Sequence, residues 1–196
     1  MKKLIRNSLA ISLAAVLASG CAYNTADGMG STSAATSTMV GGVAMLPSRT
    51  IVENASMAPN LSTLVTAVKA ADLVSTLSSP GPITVFAPTN EAFDALPDGL
   101  LETALEPANK MLLTNVLTYH TVAGEVTASD LMDMIEAGNG SAQITTLSGG
   151  TLTARMVDGR VAITDASNRT AYVTQADVMQ SNGVVHVTNA VFLPEM

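Results

Sequence analysis

The chain has 196 residues, a formal net charge of −7, no tryptophan and a single cysteine. Nine basic residues against sixteen acidic ones exclude the dense Lys/Arg surface that nucleic-acid backbones demand. One cysteine excludes both an intrachain disulfide and a paired-cysteine metal site. Aromatic residues make up only 3% while methionines number eleven, so pliable thioethers are at hand to fill irregular core gaps.

Lys2, Lys3 and Arg6 precede an uncharged, apolar or small run from Leu9 to Leu17, the layout of a secretory signal. The run is too short to span a bilayer, which takes about 20 apolar residues. Leu17-Ala18-Ser19-Gly20-Cys21 follows. It resembles the lipobox of bacterial lipoproteins, departing only at Ala18, where that family places leucine. The resemblance implies that residues 1–20 are a cleaved signal peptide. It implies too that Cys21 carries a diacylglyceryl group and that its new amine carries a fatty acyl group such as palmitate. Cleavage removes three of the nine basic residues and none of the acidic ones, so the formal charge falls from −7 to −10. Each buried acyl CH₂ contributes about 0.8 kcal/mol, and two or more chains anchor firmly. Ala22, rather than aspartate, at the second mature position implies the outer membrane, with the chain facing the periplasm or the exterior.

Residues 21–46 are small, polar and almost uncharged, with Gly28-Met29-Gly30-Ser31-Thr32-Ser33-Ala34-Ala35-Thr36-Ser37-Thr38 at their centre. Such a stretch buries too little apolar surface to repay ordering. It is expected to be a flexible linker with an average reach of roughly 30 Å. Met29, Met39 and Met45 then have no core to join.

One domain is expected over residues 47–196. Leu61, Leu64, Val65 and Val68 fall at helical spacing, and Leu73, Val74 and Leu77 repeat it before Pro80-Gly81-Pro82 ends the run. Ile83-Thr84-Val85-Phe86 reads as a short buried strand. Thr89 or Asn90 caps a helix bearing Ala92, Phe93 and Leu96, and Pro107 opens another bearing Met111, Leu112 and Val116, with Leu113 as a further candidate. Ser129-Asp130 starts a third, with Leu131, Met134 and Ile135 inward. Beyond it the period changes to two. Leu152, Ala154 and Met156 alternate with polar neighbours, as do Val161 and Ile163, with Asp158-Gly159 between them as a hairpin turn. Tyr172-Val173-Thr174 and Val184-Val185-His186-Val187 continue the pattern, and Ser181-Asn182-Gly183 forms the last turn. Helices before strands predict an α+β class.

Three segments resemble the fasciclin-like (FAS1) domain family in order and spacing. They are Thr84-Val85-Phe86-Ala87-Pro88-Thr89-Asn90-Glu91-Ala92-Phe93, Leu117-Thr118-Tyr119-His120-Thr121-Val122, and Ser181-Asn182-Gly183-Val184-Val185-His186-Val187-Thr188-Asn189-Ala190-Val191-Phe192-Leu193-Pro194. The resemblance implies a single FAS1-like domain in which a β-wedge packs on a helical layer. It implies adhesion or extracellular binding rather than catalysis, and a structural or interaction role for Tyr119, His120, Asn182, Gly183 and His186.

His120 and His186 are the only histidines. Without a third ligand they do not make a zinc site. The alternative to chemistry is that both are satisfied, partly buried and lock packing. No Gly-x-Ser-x-Gly occurs, and the Asp130/Asp133 pair fits a solvated helix face. No enzyme activity, cofactor or metal is expected. Four Asn-x-Ser/Thr triplets, at Asn54, Asn60, Asn139 and Asn168, read as chance in a bacterial chain. Met111, Met134, Met156 and Met179 are expected in the core, and a Met-rich groove for an apolar ligand or lipid is the competing function. The main expectation is a membrane-anchored adhesion or interaction protein whose partner is an envelope protein or matrix polysaccharide. Its oligomeric state is not specified by the sequence.

The anchor makes one direct prediction. Cys21→Ser removes the only thioether acceptor, so detergent phase partitioning should move the protein to the aqueous phase or leave it unprocessed. Membrane retention of a correctly cleaved Cys21→Ser chain would show that lipidation is not the anchor.

Overall fold

The computed structural model describes residues 37–97 and 99–194. The expected signal peptide and the lipidation site at Cys21 lie outside the described residues. The linker expectation fails at its C-terminal end. β1 (Thr38–Val40) and β2 (Val43–Met45) form a hairpin with Val40 opposite Val43. Gly41 and Gly42 turn it with φ of 59° and 82°, the positive pair that a two-residue hairpin turn of matching twist requires. Val40 and Met45 are each only 2% exposed and join the larger hydrophobic core. Two strands of three residues inside a small, polar stretch are too short to show a period, which is why composition alone read them as tether.

Asn54 fastens this hairpin to the domain. It lies on α1 (Ile51–Ala55), which Thr50 and Glu53 close with a reciprocal capping box. The Asn54 amide accepts from Leu46 N (3.1 Å), donates to Leu46 O (2.8 Å) and also donates to Gln180 Oε1. Ala58 through Leu61 lead into α2 (Ser62–Ala70), where Leu64, Val65 and Val68 are buried as their spacing predicts. Asp72, at φ 57°, breaks the run before α3 (Val74–Leu77).

After β3 (Ile83–Pro88) come α4 (Asn90–Asp94), α5 (Leu100–Leu105) and α6 (Lys110–Tyr119). The inward face of α6 keeps the candidate Leu113 and departs from expectation at Met111. Leu113, Leu117 and Tyr119 are buried, while Met111 is 88% exposed. Tyr119 and His120 both turn into the interior at the helix end, which sets the phase and carries Met111 to solvent. β4 (Thr121–Ala123) then leads to α7 (Ala128–Ala137). Its cap is Thr127 rather than Ser129. Thr127 Oγ1 accepts from Asp130 N (3.2 Å), and Asp130 Oδ2 accepts from Thr127 N (2.8 Å). Leu131 and Ile135 face inward and Met134 does not.

The remaining strands are β5 (Ala142–Thr145), β6 (Thr151–Val157), β7 (Arg160–Thr164), β8 (Thr170–Gln180) and β9 (Gly183–Thr188). The sheet order is β4-β3-β9-β8-β7-β6-β5, antiparallel throughout except for parallel β3 and β9. Its two edges touch at one end only. Val122 bridges Thr146, and Leu147 N donates to Thr121 O at 2.8 Å, so the sheet curls into a wedge. The larger core lies between sheet, hairpin and the helices up to α6; the second lies inside the wedge against α7.

β8 carries an irregularity, with its register against β9 shifting between Gln175 and Val178 and Asp177 at φ 54°. A bulge reverses which side chains face inward. Val178 and Gln180 therefore point in, and Met179 points out. Met156, near the end of β6, lies beyond the core edge and is exposed as well. The methionines expected in the core at 111, 134, 156 and 179 are all at the surface.

A domain cut at residue 47 loses Val40 and Met45 from the core and strands the Asn54 amide. At about 1.5–3 kcal/mol for each buried side chain, the 47–196 fragment should melt roughly 10 °C or more below the 37–196 fragment. Equal midpoints by calorimetry would contradict the structural role of the hairpin.

Candidate functional site

The three matched segments converge where the end of α6, the β3–β9 pair and the C-terminal residues meet. His120 follows the last turn of α6 and is 2% exposed. Its Nδ1 lies 2.8 Å from Val116 O, and its Nε2 lies 2.9 Å from Phe192 N. A carbonyl only accepts and an amide N–H only donates, so the ring is neutral with its proton on Nδ1. His186, on β9 and fully buried, has the opposite tautomer. Nε2 donates to Val126 O (2.8 Å), and Nδ1 accepts from Asp177 N (3.3 Å), the amide that the bulge has aimed at it.

Two phenylalanines link these rings. His186 stacks on Phe86 with centroids 5.5 Å apart, Phe86 meets Phe192 edge-to-face at 5.9 Å, and Phe192 lies 5.0 Å from His120. Pairs in this range add about 0.5–1.5 kcal/mol beyond area burial. Tyr119, beside His120 and 1% exposed, donates from its hydroxyl to Thr151 O (3.0 Å) and accepts from Ala166 N (3.1 Å). Its ring lies flush against Gly150, where a Cβ would come within 2.4 Å of it.

Asn182 works apart from the rings, at the opposite end of β9. Its Oδ1 accepts from Ile51 N (3.0 Å) and its Nδ2 donates to Leu77 O (2.8 Å) and Ser79 O (3.3 Å). One side chain thus ties the start of α1 and the end of α3 to the sheet. Gly183, next to it, has φ 152°, and a Cβ would fall 1.8 Å from Ile83 O across the parallel pair. Only glycine permits that approach.

Several supporting residues gave no sign of these roles in the sequence. Asp165, 5% exposed, accepts from Arg169 N (2.8 Å) and Leu193 N (3.0 Å), so that it and His120 together pin consecutive amides of the C-terminal segment. Thr84 Oγ1 donates to Gly124 O and accepts from Val126 N, each at 2.8 Å. Asn90, considered as a cap, instead accepts from Thr63 N and donates to Pro59 O, joining α4 to α2. Each is a buried or half-buried polar group whose partner is distant backbone, a pairing that no local pattern reveals.

The chemistry open to this arrangement is narrow. Both nitrogens of each imidazole are committed to backbone, leaving no lone pair for a metal or a substrate proton. Burial is the main influence on His120 and pushes its pKa from 6.5 to about 4, against smaller upward pulls from the Val116 carbonyl and the Asp165 carboxylate. Burial also lowers that of His186, opposed by the Val126 carbonyl and then by Asp177. Among the described residues no group of three His, Cys, Asp or Glu side chains could hold a metal ion. Three apolar gaps are small, about 40 Å³ between Phe93, Leu101, Leu113 and Val191, and 30 and 20 Å³ elsewhere, while two wider depressions, about 460 Å³ beside Tyr119 and Gly150 and about 400 Å³ beside Lys110 and Met111, lie open at the surface. Ligand pockets run to about 300–1,000 Å³. Met45 is the only methionine lining any of the three gaps. The described methionines therefore do not gather around one enclosed groove; Met111 alone lines one of the wider depressions.

A family model described as Fasciclin domain matches residues 59–194. The chain belongs to the fasciclin domain family. Protein sll1483 of Synechocystis sp. is 48% identical over 147 residues, covering 75% of this chain and 74% of that protein. Immunogenic protein MPB70 of Mycobacterium bovis is 34% identical over 130 residues, covering 64% of this chain and 66% of that protein. Transforming growth factor-beta-induced protein ig-h3 of Sus scrofa is 37% identical over 134 residues, 68% of this chain but 17% of that protein. The solved FAS1 domain pair of the insect cell adhesion molecule fasciclin I superposes with a TM-score of 0.67 at 21% identity, covering 78% of this chain and 52% of that one. At that identity the likeness shows the fold: a single α+β fasciclin domain, its wedge set against helices.

The buried imidazoles give this fasciclin domain a defined acid sensitivity. An unfolded histidine titrates near 6.5, whereas His120 in the fold resists protonation down to about 4. Its contribution is fully present above pH 6.5 and is lost as pH falls from there toward 4, by about 3 kcal/mol over that window. His186 acts in the same direction. Thermal midpoints should drop between pH 7 and pH 4.5, and His120→Ala should be less stable at pH 7 yet show a shallower acid decline. An equally steep decline in that variant would mean that other groups set the acid limb.

Proposed function

We propose that the chain is a lipid-anchored interaction module of the cell envelope, acting by adhesion and not by catalysis. The observation that carries this reading is that the polar side chains of the matched segments are turned inward and engaged by the fold itself. His120, His186, Tyr119 and Asn182 hold backbone together and have no reacting atoms to offer. Fasciclin family membership and the adhesion molecule among its structural neighbours support the same reading. The anchor at Cys21 and the outer-membrane location rest on the lipobox and on Ala22. Among the described residues no helix is long and apolar enough to cross a membrane.

Contact is then made by surface away from the buried motif residues. The outer face of β5–β8 is the best suited. Gln143, Thr153, Thr164 and Thr170 form one cross-strand row, and Arg155, Ala162 and Tyr172 form the next. The Thr164 and Thr170 hydroxyls lie 3.0 Å apart. These two rows combine hydroxyls, an amide, a guanidinium and a phenol ring and include no carboxylate, a set suited to the hydroxyls and ring faces of a polysaccharide. With one domain per chain, each contact is weak and many copies on one surface bind together.

The test compares soluble residues 37–196 with the same fragment displayed densely on beads, using isolated envelope polysaccharide. Display should raise apparent affinity by about 10²-fold or more, and Arg155→Ala with Tyr172→Ala should abolish the gain. Tight monomeric binding that is indifferent to density would replace this picture with a dedicated high-affinity site.

A further inference from the structure

Among the described residues eight are methionines, and seven of them reach solvent. Met39 lies on the hairpin, Met57 after α1, Met111 on α6, Met132 and Met134 on α7, Met156 on β6 and Met179 on β8. They are between 36% and 88% exposed, and Met45 alone is buried. The ordinary use of methionine is to fill core gaps. Here Leu, Ile, Val, Ala, Phe and Tyr119 build the cores with Met45 the one thioether among them, and the other thioethers are spread over helices, strands and hairpin alike.

We propose that these side chains form a sacrificial surface that consumes two-electron oxidants of the hydroperoxide class. In each event a sulfur lone pair attacks the distal oxygen of the peroxide. An S–O bond forms, the O–O bond breaks, and the leaving oxygen departs as hydroxide or alkoxide. Proton transfer within the peroxide unit yields water or an alcohol, with sulfur oxidised to sulfoxide and the peroxide reduced. The product is polar and disrupts a core when it forms inside one. These seven positions lie at the surface outside both cores, so a sulfoxide there adds polarity without entering the packed interior.

The protected groups lie beneath. Tyr119, Phe86, Phe192, His120 and His186 are each 2% exposed or less, and the chain has no tryptophan. The oxidisable residues on which stability depends are thus screened, and the seven that face the oxidant lie outside both cores, with the Met57 sulfur accepting a hydrogen bond from Arg49 Nη1. Enzymatic reduction of methionine sulfoxide would return each site for another cycle.

Hydrogen peroxide titration of the purified chain, read by peptide mapping and thermal melting, tests the proposal. All seven exposed methionines should gain oxygen, Met111 earliest, while Met45 stays reduced and the midpoint shifts by no more than a few degrees. A methionine sulfoxide reductase with a thiol reductant should restore the original mass. A second arm exposes a methionine-containing reporter peptide to peroxide beside wild type or beside a variant with the seven replaced by leucine. Wild type should slow reporter oxidation several-fold more than the variant. Oxidation of Met45 in step with the others, a collapse of the midpoint, or equal protection by the variant would each overturn the proposal.

Discussion

A buried imidazole held in one neutral tautomer is the constraint around which this domain is organised. His120 receives the Phe192 amide on one nitrogen and gives its proton to the Val116 carbonyl with the other. An unpaired buried amide or carbonyl costs about 1–3 kcal/mol, and this ring satisfies one of each while closing the end of α6. It also decides where the C-terminal segment runs, because Leu193 is held by Asp165 immediately afterwards. His186 repeats the device with its tautomer reversed, between Val126 and the bulged strand. The two rings join the helical layer to the wedge through Phe86 and Phe192, two of only three phenylalanines in the chain.

The helical layer depends on the same kind of bond in a different residue. Most of its helices are short, three of them only four or five residues, so much of the layer's backbone lies at helix ends, where intrahelical partners are lacking. Asn182 serves α1 and α3, Asn54 serves the hairpin, and Asn90 serves the start of α2. A side-chain amide both donates and accepts, which suits it to joining two loop segments at once. Asn54 and Asn168 head glycosylation triplets, yet Asn54 is almost fully buried and Asn168 occupies a left-handed turn. Both placements give the residues structural reasons to be asparagine.

The sequence was most legible where side chains alternate or recur over several turns. Leu152 and Ala154 on β6, Val161 and Ile163 on β7, the buried β3 strand and the stripe of α2 all lie where the pattern put them, and the three motif segments together pointed to the fold class. Legibility failed where tertiary contacts choose between near-equal patterns. On α6 the faces through Met111 and through Leu113 both look apolar, and only the inward pull of Tyr119 and His120 separates them. On β8 the bulge changes parity in mid-strand, so Met179 follows a rule opposite to that of the first half. The Asp165 clamp spans 28 residues to Leu193 and has no local signature at all. Of the site, the histidines were visible as residues, but their tautomers and partners existed only in three dimensions.

The hairpin at the start of the described chain has a mechanical consequence. Thr38 sits opposite Met45, so the strand that leads in and the strand that leads on to Leu46 emerge at the same end. Tension applied from the N-terminal side therefore peels the pair open one rung at a time, the weak direction for a β-ladder, instead of shearing all rungs together. The main sheet shares that load from the first rungs, because Gln175 of β8 donates to Met39 O and Val40 and Met45 sit in the larger core, and the Asn54 clamp on Leu46 holds beyond them. Eight released residues, at about 3.3–3.6 Å each, amount to roughly 28 Å of chain, let out only as two core side chains leave with them. A pull from that side therefore meets core burial as well as ladder rungs, so the hairpin is a stiff first link in the line of force.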